Sequence, residues 1–401
     1  MTPPAHSPKS PGSTTWTRRD LLKRSACLGF LPLFAPLSAA EGDKSSKIDG
    51  RILENVLIRA NSPQGYQGWP TVAKLPNGDL AVVVSAGREG HVCPFGRVDF
   101  FRSSDGGKTW SEGKTILNHP ADDRDAGICV TSKGTILVTT FTSFAYLPAL
   151  EQERKRRAQG KGTWSDERFQ RWEEAHRPFE TLEKRKEELG CWMIRSEDGG
   201  KTWSERYRSL VNSPHGPIQL RDGRLLYPGI KLWENPRTVG IAHSLDDGKT
   251  WSWLADLQPV DGENINQYHE LHGVETESGR LVVHVRSHAP SSNGETLQTE
   301  SDDGGKTWTR IHRIGVWGLP SHLLKLSDGR LLMTYGHRRD PFGNLARIST
   351  NEGRSWSEEF RLNHCPPCDL GYPSTIQRDD GTLVSVWYEA GSVKAAIWQL
   401  N

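Results

Sequence analysis

Methionine is nearly absent from this chain, with three in 401 residues, and cysteine is scarce, with six. Cysteines so few and so widely spaced exclude a fold built on disulfides. Charge of either sign is not in excess: 51 Lys and Arg stand against 49 Asp and Glu. Five of the basic residues (Lys9, Arg18, Arg19, Lys23, Arg24) and one acid (Asp20) fall in the first forty positions, leaving 46 against 48 beyond them. A near-neutral body gives no electrostatic ground for a nucleic-acid partner. Long hydrophobic runs are missing too. The longest, Leu28 to Leu37, contains Pro32 and Pro36 and falls far short of the ~20 residues of a membrane span. What the chain does have is 15 tryptophans and 40 glycines, and they recur in register.

The short run belongs to an address. Thr17-Arg18-Arg19-Asp20-Leu21-Leu22-Lys23, then the apolar stretch, then Ser38-Ala39-Ala40 read as a twin-arginine export signal over residues 1–40. The expected destination is periplasmic or extracellular, and oxidising. Of the later cysteines (Cys93, Cys129, Cys191, Cys365, Cys368) the last two form Cys365-Pro366-Pro367-Cys368, either a local bridge or two loop thiols. One such pair without a second makes no zinc site. His269 and His272 have the spacing of two ligands on a helix, but they precede a strand. No metal and no cofactor is expected.

Residues 41–401 are repetitive. The octapeptides SSDGGKTW (from Ser103), SEDGGKTW (Ser196), SLDDGKTW (Ser244) and SDDGGKTW (Ser301) are near-copies, and STNEGRSW (Ser349) is a fifth with Asn351 in place of Asp. The Asp accepts bonds from backbone N–H groups of its own turn, the glycine takes the positive φ that follows, and the Trp buries its face against a neighbour. A second pattern alternates with it: apolar strand, glycine turn, apolar strand. Its turn glycines are Gly78, Gly134, Gly223, Gly279, Gly329 and Gly381, spaced 56, 89, 56, 50 and 52 residues apart. Each unit reads as four antiparallel strands, and six such units make an all-β, six-bladed propeller. The sixth unit stops after its third strand, Val393 to Leu400, and Arg51 to Ile58 can supply the missing outer one, which removes exposed edges. The long interval carries about 35 extra residues of charged, helix-periodic sequence, a helical insertion in blade 2 at about 147–189, either a solvated decoration or a wall over one mouth.

In such a blade the mouths of the first strands and the loops after the second strands share one end, where function is expected. Counting back nine from each turn glycine gives Trp69, Asp125, Pro214, Glu270, Pro320 and Tyr372, all at equal depth around the axis. One or two residues deeper lie His215, His272, Ser321 and His322. The loops after second strands add Arg88, Glu89, His91, Arg97, Arg286, His288, His337, Arg338, Arg339, Trp387 and Glu389. A pit of carboxylates, phenol, imidazoles and guanidinium groups is costly unless something binds there.

The SxDGGKTW motifs resemble the Asp boxes of the sialidase (neuraminidase) superfamily over the whole of residues 41–401. Tyr372-Pro373-Ser374 followed by Trp387-Tyr388-Glu389 is similar to the family's Tyr-Ser and Leu-Tyr-Glu segments, and His269-Glu270 to the segment of its catalytic Glu. The resemblance implies Tyr372 as nucleophile, Glu270 as the base that activates it, and Glu389 as the support of a neighbouring arginine. A phenol suits a sugar whose anomeric carbon bears a carboxylate, since an anionic nucleophile would be repelled. Arg88, in Ala86-Gly87-Arg88, resembles an additional family arginine. The acid/base that follows it in the family is matched by Glu89 or, from its axial register, by Asp125 in Asp122-Asp123-Arg124-Asp125. The family's Arg-Ile-Pro segment is replaced by Gly68-Trp69-Pro70. Arg286, Arg338 and Arg339 are then the guanidinium groups placed to reach inward from nearby loops, with Arg124, His215, His272 and His322 as further candidates to bind a substrate. The expected activity is an exo-acting, retaining glycoside hydrolase for sialic acid or another acidic sugar. A polysaccharide lyase using His and Tyr on a uronate, or a glycan-binding propeller without turnover, are the alternatives.

Overall fold

The computed structural model describes residues 47–62 and 65–401. The proposed export signal lies outside them. Among the described residues, six four-stranded antiparallel sheets follow one another around a circle. Blade 1 runs Tyr66–Lys74, Leu80–Arg88, Arg97–Ser103 and Lys114–Leu117, from axis to rim. Blades 2 to 5 repeat that order. Blade 6 has three strands from the C-terminal end and takes its outermost from Gly50–Arg59, which pairs antiparallel with Ser392–Leu400. The first and last segments of the propeller are thereby joined.

Two local devices repeat because their bonding partners are close in sequence. At the first, Gly78 has φ +86° and donates its N–H to the Leu75 carbonyl, while the Leu75 N–H bonds the Asp79 carbonyl. The five equivalent glycines have φ between +83° and +92°, a region that disfavours any side chain. At the second, Ser103 Oγ donates to Asp105 Oδ1 at 2.8 Å, and the N–H groups of Lys108 and Thr109 donate to the same oxygen at 3.1 and 3.0 Å. These bonds hold the Asp105 carboxyl down at about 2. Asn351 keeps the essential part, accepting from Ser355 N–H at 2.9 Å and donating its amide to Ser355 Oγ.

The motif tryptophans pack on the preceding blade: Trp203 meets Phe100 edge-on at 5.8 Å, and Trp110 joins Leu80, Val384 and Ile397. The core is accordingly split among the interfaces between blades. Val83 and Phe100 meet Ile128 and Val138. Leu226 and Ile241 meet Leu271 and Val283, and the joint that closes the ring sets Val386 and Ala395 against Val72 and Val84. The second strand of each blade is buried on both faces, so these strands read as largely apolar runs, as in Leu80–Arg88 and Leu281–Ser287.

Blade 2 carries three helices between its second and third strands: α1 (Leu147–Ala158), α2 (Asp166–His176) and α3 (Leu182–Glu188). Ser165 and Thr181 accept backbone N–H bonds at the starts of α2 and α3, as N-caps do. The helices pack on blade 1 through a small core of Tyr146, Leu150 and Trp172 with Cys93 of the blade 1 loop. Among the described residues no helix is long and apolar enough to cross a membrane.

Candidate active site

Four of the six first strands reach the axis through a distortion. Trp69, Asp125, Glu270 and Tyr372 have φ of +55°, +51°, +44° and +51°. The pairing register slips where each sits: between Gly68 and Thr71, Arg124 and Gly127, His269 and Leu271, and Gly371 and Ser374. A left-handed non-glycine costs roughly 1–2 kcal/mol. Four of them at one register show a bulge used to turn side chains out of the sheet and into the mouth. They line a cavity of about 340 Å³ with Arg124, Arg286 and Arg338.

At its centre the Tyr372 hydroxyl donates to Glu270 Oε1, and Arg286 Nη1 donates to Glu270 Oε2 and, at 3.0 Å, to the Tyr372 oxygen. The phenol and the carboxylate come from strands 102 residues apart. The Arg338 guanidinium lies over the Tyr372 ring at 5.5 Å and donates Nε to the Leu370 carbonyl at 2.8 Å. Burial, then the Glu270 charge, pushes the phenol well above its ordinary value. Burial works against the Glu270 charge, but Arg286 and the Tyr372 hydroxyl outweigh it and hold the carboxyl below its usual range. Asp125 goes the other way. Burial, reinforced by the charge of Glu270 and opposed by Arg124, raises it to about 6. The two carboxyl groups of this one cavity are thus pushed in opposite directions.

Of the cavity's arginines, only Arg286 is paired with a carboxylate among the described residues. Arg124 Nε, Arg286 Nε and Arg338 Nη2 are buried without an acceptor. Arg124 stacks over Trp69 at 4.9 Å. Gly68 stands where the Arg-Ile-Pro segment has its arginine, and Arg124 of blade 2 brings a guanidinium over the neighbouring Trp69.

Other candidates lie elsewhere, which corrects the expectation that they touch a substrate. Arg88 is wholly buried behind Trp69, at 5.1 Å from its ring, and is held by both oxygens of Asp122 at 2.6 and 3.1 Å. Glu89 faces the helices, where it bonds Trp172 Nε1 at 3.0 Å, Arg168 at 3.1 Å, and Arg171. Glu389 meets Lys394 at 2.7 Å and Asn363 at 2.9 Å in a separate cavity. His215, His272 and His322 form a buried stack below the floor, with ring centroids 4.3–5.4 Å apart. One or two residues along a strand is ~3–7 Å of depth. Burial drives all three well below the ordinary imidazole value, so they are neutral. Arg339 covers Trp317, at 4.1 Å.

Reading the sequence missed the apolar wall of Phe141, Ile230 and Leu232. A signal existed: Arg286 stands seven residues after its turn glycine, and the same count reaches Phe141 and Ile230. It also missed Asp369, whose carboxylate accepts Tyr66 and Tyr388 hydroxyls at 2.6 Å each and meets His91 Nδ1 at 3.1 Å.

Asp-box blades closed by an N-terminal strand, with the titratable groups gathered at one mouth, define a sialidase-like propeller. Residues 179–385 match the family model of the BNR repeat-like domain, and 101–112 that of the BNR/Asp-box repeat. The chain belongs to the BNR repeat-like family within the sialidase-like superfamily. It is 25% identical over 323 residues to a Bacteroides fragilis sialidase, covering 73% of this chain and 54% of the relative. It is 25% identical over 200 residues to a Micromonospora viridifaciens sialidase, covering 40% and 30%. The chain thus spans about half, or less, of the length of these curated relatives. A Dyadobacter fermentans protein of unknown function has a similar structure, with TM-score 0.69, 24% identity, and 88% of this chain and 100% of that one covered. A Streptococcus pneumoniae sialidase shares the fold at TM-score 0.59 and 14% identity, covering 86% and 70%.

Proposed function

We propose that the protein is an exo-acting glycoside hydrolase that releases a terminal sialic acid or another acidic sugar from a glycan, with retention, by a Tyr/Glu mechanism. The observation that carries the reading is the contact of Tyr372 with both Glu270 and Arg286 inside one cavity. Tyr372 Oη attacks the anomeric carbon as its proton passes to Glu270 Oε1, and Arg286 steadies the charge left on the phenol oxygen. Asp125, protonated below about pH 6, gives its proton to the departing oxygen. Its carboxylate then takes a proton from water, which displaces Tyr372 from the sugar; Glu270 returns the phenol's proton.

Two features support an acidic sugar. Three guanidinium groups, of Arg124, Arg286 and Arg338, line the cavity, each with a buried nitrogen that has no acceptor among the described residues, and such groups are normally satisfied. Arginine also suits a carboxylate by its fork geometry. A cavity of about 340 Å³ is at the small end for ligand sites, which suits one terminal residue rather than a chain threaded through. The export signal read in residues 1–40 would bring the enzyme to extracytoplasmic glycans. The imidazoles that suggested a lyase, His215, His272 and His322, lie below the floor, but His91, His269 and His288 line the cavity, so elimination is an outcome the test must distinguish.

The test is a panel of aryl glycosides of sialic, uronic and neutral sugars, with Tyr372→Phe and Glu270→Gln beside the parent. Each variant should lose ~10²–10⁴ in kcat with little change in melting temperature. Unchanged turnover in either refutes the mechanism. A product absorbing in the near ultraviolet would mean elimination, and glycan binding without turnover in the parent would mean a lectin.

A further inference from the structure

The loop from blade 5 to the inner strand of blade 6 reads Asn363-His364-Cys365-Pro366-Pro367-Cys368-Asp369. Cys93, Cys129 and Cys191 are buried thiols, whereas Cys365 and Cys368 are half-buried. These two thiols lie within hydrogen-bonding reach of each other. Pro366 and Pro367 form an exposed bend between them, and their rings fix φ near −65°, so little freedom remains for the sulfurs to separate. The next residue is Asp369, the acceptor for Tyr66, Tyr388 and His91. Those bonds tie blade 6 to blade 1 behind Trp69, and His91 itself lines the cavity.

We propose that Cys365 and Cys368 close into an intramolecular disulfide that staples the loop carrying Asp369. One thiolate attacks a small-molecule disulfide such as oxidised glutathione, forming a mixed disulfide and releasing one thiol. The second thiolate displaces the remaining glutathione sulfur and completes the bridge. The protein gives up two protons and two electrons, and one oxidant disulfide becomes two thiols. Neither residue is fully buried in the folded chain, so oxidation does not require unfolding.

The surroundings decide between a staple and an exchanging redox pair. Reactive Cys-x-x-Cys sites lower a thiol's pKa, usually at a helix N-terminus. Here burial, together with the neighbouring Cys368, pushes the Cys365 thiol up to about 12, and burial raises Cys368 as well. Thiols that leave poorly make a bond that reduces slowly. The bridge is therefore a staple of the loop that carries Asp369, which in turn holds the cavity-lining His91.

The test treats the full chain with oxidised glutathione and reads intact mass, maleimide labelling with peptide mapping, and melting temperature. The expected result is a mass two units lower, no label on Cys365 or Cys368, and a bond that stays closed in mixed reduced and oxidised glutathione. Dithiothreitol should open it and lower the melting temperature by a few degrees. The Cys365→Ser/Cys368→Ser double variant should show the lower value under both conditions. Labelling of both cysteines after oxidation, a persistent glutathione adduct, or a cross-linked dimer overturns the bridge. A bridge whose opening leaves the melting temperature unchanged overturns the staple. Neither readout depends on catalytic activity.

Discussion

Asp125→Asn should make the protein more stable while costing it activity. The native Asp125 carboxyl holds its proton up to about pH 6, against an ordinary value of about 3.9 in the unfolded chain. While both states are protonated, below about pH 4, this group does not penalise folding. As pH rises from there the unfolded chain gives up the proton first, and native stability falls until the folded carboxyl also ionises near pH 6. Above that the whole difference is missing: about 2 pH units at 1.4 kcal/mol each, or about 3 kcal/mol. Asparagine has the same shape, carries no charge to desolvate, and tolerates the left-handed φ of +51° at this position. The variant should therefore gain up to about 3 kcal/mol over the parent at pH 7 and show a much smaller gap at pH 4. Guanidinium unfolding curves of both proteins at the two pH values measure it, and the change in the gap with pH cancels any effect of the amide itself. A gap that does not change between pH 4 and 7 would refute the reasoning.

The same carboxyl predicts a pH profile. With Asp125 as acid, kcat/KM should fall about tenfold per unit above pH 6, and its acid limb should lie below the usual glutamate range because Arg286 depresses Glu270; a flat profile between pH 6 and 8 counts against Asp125. Glu89→Ala should free α2 by removing the acceptor of Trp172, Arg168 and Arg171, seen as faster proteolytic nicking within 147–189. Since Glu89 does not line the cavity, kcat should change less than tenfold; a larger loss would mean that the helices act on the site.

Much of the architecture was legible in the residue string. The turn glycines and the SxDGGKTW octapeptides bond within themselves, as Asp105 does with Ser103 and Thr109, so each leaves its mark on contiguous residues. Counting from those glycines placed Asp125, Glu270 and Tyr372 at one depth, and the outer strand of blade 6 followed from a missing piece of the pattern. The same count named His215, His272 and His322, but a rank around the axis does not tell floor from sub-floor, and these three sit below it.

What a mouth side chain touches was decided elsewhere. Glu89 and Arg286 both follow second strands, yet one turns to the helices and the other to Glu270. Arg88 meets Asp122 before any ligand can, and Glu389 meets Lys394 across a hairpin. Sequence by itself determined the repeating blade, its sixfold copying and the ring's closure, because short-range hydrogen bonds and burial patterns write those into neighbouring positions. Only the tertiary structure decided which charges face the cavity. A long polar side chain goes to the nearest opposite charge or acceptor, and at this mouth that partner comes from a neighbouring strand of the same blade for Arg286 and Glu389, from the next blade for Arg88, and from the insertion for Glu89.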